Sequence, residues 1–310
     1  MGGTVRGQPG NLRGGRLRRG QPPVAAQGRH ADRLPVSGAG AAGPPGPPAE
    51  SGYLPPGLPF FRVGTGRPLV VLPGLGAPHE VPRGFERAAE AGPLRAFALS
   101  REVWWIGRRP GLPRTTTMAD LAADTAQALA AFDGPVDVIG ISTGGSVALQ
   151  LAADHPRRVR RLVLVAAGCR LGELGKRGQR AVLDRLDGGD RRGAGAEMVR
   201  LIGVRPVARQ LEAWIGWLAG PLMLPRFTDD LAAVILAEDA FDLTARLPSI
   251  TTPTLVAGGD EDSPYGPGVF SETAAGLPNG RLRLYSGRGH VGVQRAPGFA
   301  RDVLAFLDTP

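Results

Sequence analysis

From residue 59 onward, short apolar β-branched runs alternate with longer segments of helical spacing. No other feature narrows the possible folds as much. Residues 59–63 are short, aromatic and β-prone, and Gly64 turns the chain. Residues 68–72 are continuously apolar and stop at Pro73-Gly74-Leu75-Gly76, as a buried strand feeding a glycine loop would. The pattern then predicts a helix over 82–91, a strand over 102–106 and a helix over 117–132. A strand over 136–140, a helix over 142–155 stopped by Pro156, and a strand over 159–166 follow. The alternation pauses at 168–248, where helical patterns carry no convincing strand. It returns with a strand at 254–256, a helix at 267–277, a strand at 281–285 and a helix at 292–308. Repeated strand–helix units build a mostly parallel, doubly wound sheet with helices on both faces. The expected class is therefore α/β, with residues 59–167 and 249–310 as the core and 168–248 as a helical cap inserted between them.

Residues 1–58 read differently. Gly, Pro, Arg and Ala dominate, with no period. Such a segment buries too little apolar surface to offset its ordering entropy, so a disordered N-terminal extension is expected. Arg18-Arg19 resembles an export signal, but Gly20-Gln21-Pro22-Pro23 stands where its apolar core should be.

Composition removes several function classes. The chain of 310 residues carries 37 basic and 28 acidic side chains, a formal charge of +9. The first 58 residues hold +5 of that and the remaining 252 only +4, so the body is mildly basic. Its densest run, Arg157, Arg158, Arg160 and Arg161, has no interleaved aromatics and falls where a helix hands over to a strand, as a solvated turn would. No nucleic-acid partner is expected. One cysteine, Cys169, excludes an internal disulfide framework and any multi-cysteine metal site. The four histidines are scattered, and no apolar run approaches the roughly 20 residues that span a bilayer. No metal, organic cofactor or membrane association is implied, and a cytoplasmic location is expected.

The chemistry sits at Gly140-Ile141-Ser142-Thr143-Gly144, a G-x-S-x-G run between a strand and a helix. A serine there rides a sharp turn that lifts its hydroxyl above the sheet, and crowding at the turn excludes a Cβ at the flanking positions. The helix that begins at the turn aims free N–H groups and its positive end at a developing oxyanion. Serine alone is a weak nucleophile. It needs a neutral imidazole as base and a carboxylate to fix that imidazole. Both types follow at the ends of later strands: Asp260-Glu261-Asp262 and then Gly289-His290. On residues alone, Ser142 could instead be an ordinary helix N-cap, and Asp260 competes with Asp262 as the acid.

This ordered set resembles the α/β-hydrolase fold superfamily, in its serine-nucleophile members with a helical cap, over residues 59–310. The resemblance implies Ser142 as nucleophile, Asp262 as the second aspartate of a Gly-Asp-x-Asp pattern and His290 as the base. Leu75 follows Pro73-Gly74 where the superfamily has His-Gly, and its backbone N–H with that of Thr143 would form the oxyanion hole. Pro73, Ile141 and Thr143 depart from common family residues and bear on substrate preference. Epoxide hydrolases and dehalogenases of the superfamily use aspartate at the elbow, and its hydroxynitrile lyases use a lysine near the acid. Here the elbow holds serine, and the one lysine, Lys176, is far from that loop. Acyl chemistry on a small-molecule carboxylic ester or thioester remains. An acyltransferase, a cofactor-free perhydrolase or a non-catalytic binding protein would use the same framework. Trp214 and Trp217 share a helix face and are candidates to line an acyl pocket, beside Trp104 and Trp105, with core packing as the competing role.

Overall fold

The computed structural model describes residues 50–203 and 228–309, together with Gly2 and Trp217. The expectations that concern residues 3–49 and Trp214 lie outside the described residues. Eight strands form one sheet: β1 (Ser51–Leu54), β2 (Leu58–Val63), β3 (Arg67–Leu72), β4 (Arg101–Ile106), β5 (Val136–Ile141), β6 (Val159–Val165), β7 (Thr254–Gly259) and β8 (Gly280–Tyr285). Their spatial order is β1-β2-β4-β3-β5-β6-β7-β8. The first two pairings, β1 with β2 and β2 with β4, are antiparallel, and the rest are parallel.

Strict alternation along the buried strands sorts side chains onto two faces. Val70, Leu72, Val138, Leu162, Leu164 and Val256 enter one apolar layer. Leu69, Val71, Ile139, Val163, Val165 and Ala257 enter the other. The helices Met118–Ala128, Thr143–Asp154 and Gly266–Gly276 cover the first face, and Phe299–Leu307 covers the second. The threonine run caps as expected. The Thr117 hydroxyl accepts from the Asp120 N–H at 3.2 Å, and the Thr117 N–H donates to the Asp120 carboxylate at 2.8 Å.

Between β6 and β7 the chain makes the α-helices Glu173–Asp187, Arg191–Ile202 and Thr228–Asp239, followed by the 3₁₀ helix Thr244–Ser249. Val182, Ala194 and Leu231 on them join the first apolar layer, so these helices share the core's interior.

Two expectations are corrected. Residues 51–58 are not part of a disordered extension. Ser51–Leu54 pairs with β2, with Leu54 opposite Leu58, and the Gly57 N–H closes the turn onto the Leu54 carbonyl at 2.7 Å. The Pro55-Pro56-Gly57 cluster that reads as linker is a hairpin turn, and strand pairing supplies the order that the local sequence lacks. The helix expected over 292–308 is broken. A short 3₁₀ turn at Val293–Arg295 precedes Gly298 at φ 81°, and the helix runs only over Phe299–Leu307. Pro297 and the left-handed Gly298 end the first turn, while apolar spacing continues across the break and hides it.

Candidate active site

Ser142 stands between β5 and the helix Thr143–Asp154 with φ 52° and ψ −125°, a conformation that L-residues rarely adopt. Its backbone is held on both sides. The Ser142 N–H donates to the Val165 carbonyl at 2.8 Å, and its own carbonyl accepts from the Gly145 N–H at 2.6 Å. The turn is as crowded as the motif requires. A Cβ at Gly140 would lie 2.5 Å from the Gly145 Cα, and one at Gly144 would lie 2.6 Å from the Pro73 carbonyl oxygen. Ser142 occupies the N-cap position but makes no capping hydrogen bond. Its hydroxyl faces His290 instead: Oγ lies 2.8 Å from His290 Nε2.

His290 and Asp262 come from the loops after β8 and β7, two neighbouring parallel strands. His290 Nδ1 lies 2.8 Å from Asp262 Oδ2. Asp262 Oδ1 accepts from the Tyr265 N–H at 2.9 Å, which fixes the carboxylate plane. Both side chains are buried. The rival Asp260 turns outward. It accepts from the Ser286 hydroxyl at 2.9 Å and the Gly287 N–H at 2.7 Å, and these bonds hold its carboxyl below the usual range. Its role is to tie two loops together, as a turn-forming aspartate does.

The loop Pro73-Gly74-Leu75 passes close to the nucleophile, since a Cβ on Gly74 would lie 3.5 Å from the Ser142 Cβ. The other side of this loop is gripped by Arg108, which is buried. Its Nη1 donates to the Pro73 carbonyl at 3.1 Å, and Nη2 donates to the carbonyls of Gly74 at 2.9 Å and Leu75 at 3.1 Å. Arg108 Nε points at His79 Nε2, 3.3 Å away. His79 Nδ1 lies 3.0 Å from the Arg109 carbonyl, which can only accept. The proton therefore sits on Nδ1, and Nε2 offers its lone pair to Arg108. Burial and the adjacent guanidinium drop the His79 pKa to about 3, so it is neutral at physiological pH. Burial also lowers Arg108, to about 10, which leaves it charged.

A second buried group beneath the elbow has no counterpart in the sequence reading. Glu238, on the helix Thr228–Asp239, is fully buried and accepts four hydrogen bonds. They come from the hydroxyls of Thr143 (2.7 Å), Ser146 (2.9 Å) and Tyr265 (2.8 Å) and from the Gln179 amide (2.6 Å). Burial, and then the Glu238 charge, push the Tyr265 phenol well above its ordinary value, so it stays a donor. The Tyr265 ring also lies parallel to the His290 ring, with centroids 6.0 Å apart. One signal was available: a carboxylate in the last turn of a helix opposes the helix dipole and calls for a special partner.

The other described candidates are placed as follows. Trp104 stacks on Phe60 at 5.1 Å and Trp105 on Phe61 at 5.2 Å, both buried in the sheet. Trp217 is 42% exposed, with the Arg192 guanidinium 4.6 Å above its ring. Arg160 binds Asp137 and the Leu307 carbonyl, so part of the arginine run anchors the C-terminal helix. Cys169 is buried, its Sγ 3.5 Å from the Thr244 hydroxyl. Among the described residues no cluster of three metal-binding side chains occurs, and no helix is long and apolar enough to cross a membrane.

Comparison with known proteins adds an independent line. Residues 69–302 match the family described as alpha/beta hydrolases. The polyketide synthase ThaQ of Burkholderia thailandensis is 31% identical over 272 residues, 80% of this chain, and the chain spans only 12% of that synthase. The protein named "Putative carbamate hydrolase RutD" of Variovorax paradoxus is 34% identical over 212 residues, 65% of this chain and 77% of RutD. The crystal structure of the enol-lactonase from Burkholderia xenovorans LB400 matches with a TM-score of 0.67 at 19% identity, over 84% of this chain and 100% of that one. At that identity the likeness concerns the fold.

Proposed function

The chain belongs to the alpha/beta hydrolase family, and from that premise we propose that it is a serine hydrolase cleaving a carboxylic ester or thioester. The observation that carries this reading is the pair of 2.8 Å contacts joining Ser142 Oγ to His290 Nε2 and His290 Nδ1 to Asp262. Asp262 holds the proton of the neutral imidazole on Nδ1, which leaves Nε2 free to act as base. Ser142 Oγ attacks the acyl carbon while its proton passes to Nε2. The carbonyl oxygen becomes an oxyanion between the N–H groups of Leu75 and Thr143. Collapse expels the alcohol or thiol, which takes the proton from Nε2, and leaves the acyl group on Ser142. Water then attacks the acyl-enzyme with His290 again as base, and the acid is released. The name of the RutD relative points to attack on a carbonyl of the carbamate type, which needs the same steps. In this reading the helices Glu173–Asp187, Arg191–Ile202 and Thr228–Asp239 belong to the cap that sets acyl preference.

The test is covalent labelling with a fluorophosphonate, with the modified residue mapped by mass spectrometry, followed by turnover of nitrophenyl esters of increasing acyl length. Label on Ser142 that vanishes in Ser142→Ala, together with turnover, is the expected result. A folded protein that takes no label refutes the mechanism and favours a non-catalytic ligand-binding role for the protein.

A further inference from the structure

The buried cation Arg108 plays no part in the relay of Ser142, His290 and Asp262, yet it spends its donors on the three successive residues that carry one half of the expected oxyanion hole. We propose that Arg108 is a positioning residue for that hole: it grips the carbonyls of Pro73, Gly74 and Leu75 from behind and so aims the Leu75 N–H at the substrate's carbonyl oxygen. This rests on the serine-hydrolase reading of the site.

The geometry follows from the peptide unit. A trans peptide is planar, so the carbonyl of Gly74 and the N–H of Leu75 point in opposite directions. The Gly74 carbonyl is directed at Arg108 Nη2 at 2.9 Å. The Leu75 N–H therefore points away from the guanidinium. The Cβ vector of Gly74 reaches to 3.5 Å from the Ser142 Cβ, which places the loop next to the nucleophile. A free glycine-rich loop could flip this peptide at little steric cost. Bonds from one rigid planar fork to three consecutive carbonyls forbid the flip, and a lysine, being a point charge on a flexible stem, could not make all three. The positive charge also draws electron density toward the Gly74 oxygen, which makes the Leu75 N–H a stronger donor to a developing anion.

Arg108 is itself held. His79 fixes Nε from one side, with its own proton locked onto the Arg109 carbonyl. Negative charge comes from Glu238, Glu90 and Asp230, in that order of influence on the guanidinium. Asp230 and Glu238 both lie on the helix Thr228–Asp239, where Asp230 accepts the Leu112 N–H at 2.6 Å and Glu238 binds the Thr143 hydroxyl. The same helix therefore carries two of the charges that act on Arg108 and the carboxylate that binds the Thr143 hydroxyl.

The experiment compares wild type with R108K and R108M. Kinetics on a nitrophenyl ester are normalised to the fraction of sites titrated by the fluorophosphonate. Inhibition by a trifluoromethyl ketone, which adds to the serine and forms an oxyanion, is set against binding of the substrate's ether analogue, which has no carbonyl. Removal of one oxyanion donor costs on the order of 100- to 1,000-fold in kcat. We expect kcat per titrated site to fall about 10-fold in R108K and on the order of 100-fold in R108M. KM and ether binding should stay within about threefold, while trifluoromethyl ketone affinity falls in step with kcat/KM. A purely structural arginine would lower Tm and the titrated fraction but leave kcat per site and the inhibitor ratio unchanged, and that result overturns the proposal. If R108M does not fold, R108K decides by the same criterion. A wild type that takes no label at Ser142 sinks the hydrolase reading and this proposal with it. A labelled, active wild type with an unimpaired R108K sinks the role of Arg108 alone.

Discussion

Substitution of Gly144 by alanine tests the crowding at the elbow most directly. Gly144 starts the second position of the helix after Ser142, and its Cα faces the end of β3. The added Cβ would lie 2.6 Å from both the Leu72 carbonyl carbon and the Pro73 carbonyl oxygen, with the Leu72 oxygen closer still. These are backbone atoms and cannot rotate away. Restoring ordinary contact near 3.4 Å requires a shift of more than about 0.8 Å between the elbow and the end of β3 with its following loop, because the Leu72 oxygen is nearer than either of those atoms. Overpacking of this kind costs about 1–3 kcal/mol. At about 2–4 °C per kcal/mol for a domain of this size, Tm should fall by roughly 2–12 °C. The kinetic effect should be larger in proportion, because a misplacement of about 1 Å costs on the order of 100-fold in rate. The same contact separates Ser142 from the Leu75 amide, so kcat should suffer more than KM. Gly268→Ala is the control with the opposite sign. A Cβ there meets nothing within 4 Å, and the residue lies inside the helix Gly266–Gly276. Alanine should stabilise it by about 0.5–1 kcal/mol with kcat unchanged. The assays are calorimetry and steady-state ester hydrolysis on both variants. A G144A protein with wild-type Tm and kcat would show that the elbow does not press against β3, and the crowding argument would fail.

Two further outcomes follow from the site. Asp262→Asn should lower kcat on the order of 10,000-fold by fixing the wrong imidazole tautomer, whereas Asp260→Asn should change it by less than about threefold; equal losses would mean that the acid has been misassigned. His79 is neutral in the folded state down to about pH 3, while the unfolded chain takes up a proton below its ordinary value of 6.5. Its contribution to stability is therefore complete above pH 6.5 and is lost as the pH falls from 6.5 toward 3, at up to about 1.4 kcal/mol per pH unit. Urea unfolding at pH 7 and pH 5 should show wild type losing about 2 kcal/mol more than His79→Gln over that interval. Identical pH dependences would mean that His79 titrates normally in the folded protein.

Local pattern carried a large part of the fold and of the candidate site. Strand and helix periodicity and the glycines at 140 and 144 are readable along the chain, because each reflects a short-range constraint on backbone or turn geometry, whereas the set Ser142, Asp262 and His290 was named by the resemblance to the superfamily. The hairpin at Ser51–Leu54 was not readable, since its order comes from pairing with β2 and its Pro-Gly turn has the composition of a linker. Nor was the break before Phe299, where apolar spacing runs on through Pro297 and Gly298. The tryptophans show the same limit. Sequence offered Trp104 and Trp105 for either pocket or core, and only the register of β4 against β2 stacked them on Phe60 and Phe61.

Residues alone left Asp260 and Asp262 both open and the resemblance named Asp262; in the fold the loop turns Asp262 toward His290 and Asp260 toward Ser286. The buried supports are further removed from sequence. Arg108 meets Pro73 across 35 residues, and Glu238 meets Thr143 across 95. A buried charge is tolerated only where partners converge on it from separate elements, and that convergence has no trace in periodicity or spacing. The sequence by itself determined the order of elements and the chemical types at the turn. The tertiary structure alone decided which charges stand behind the nucleophile, because burial and hydrogen-bond satisfaction are properties of the packed chain.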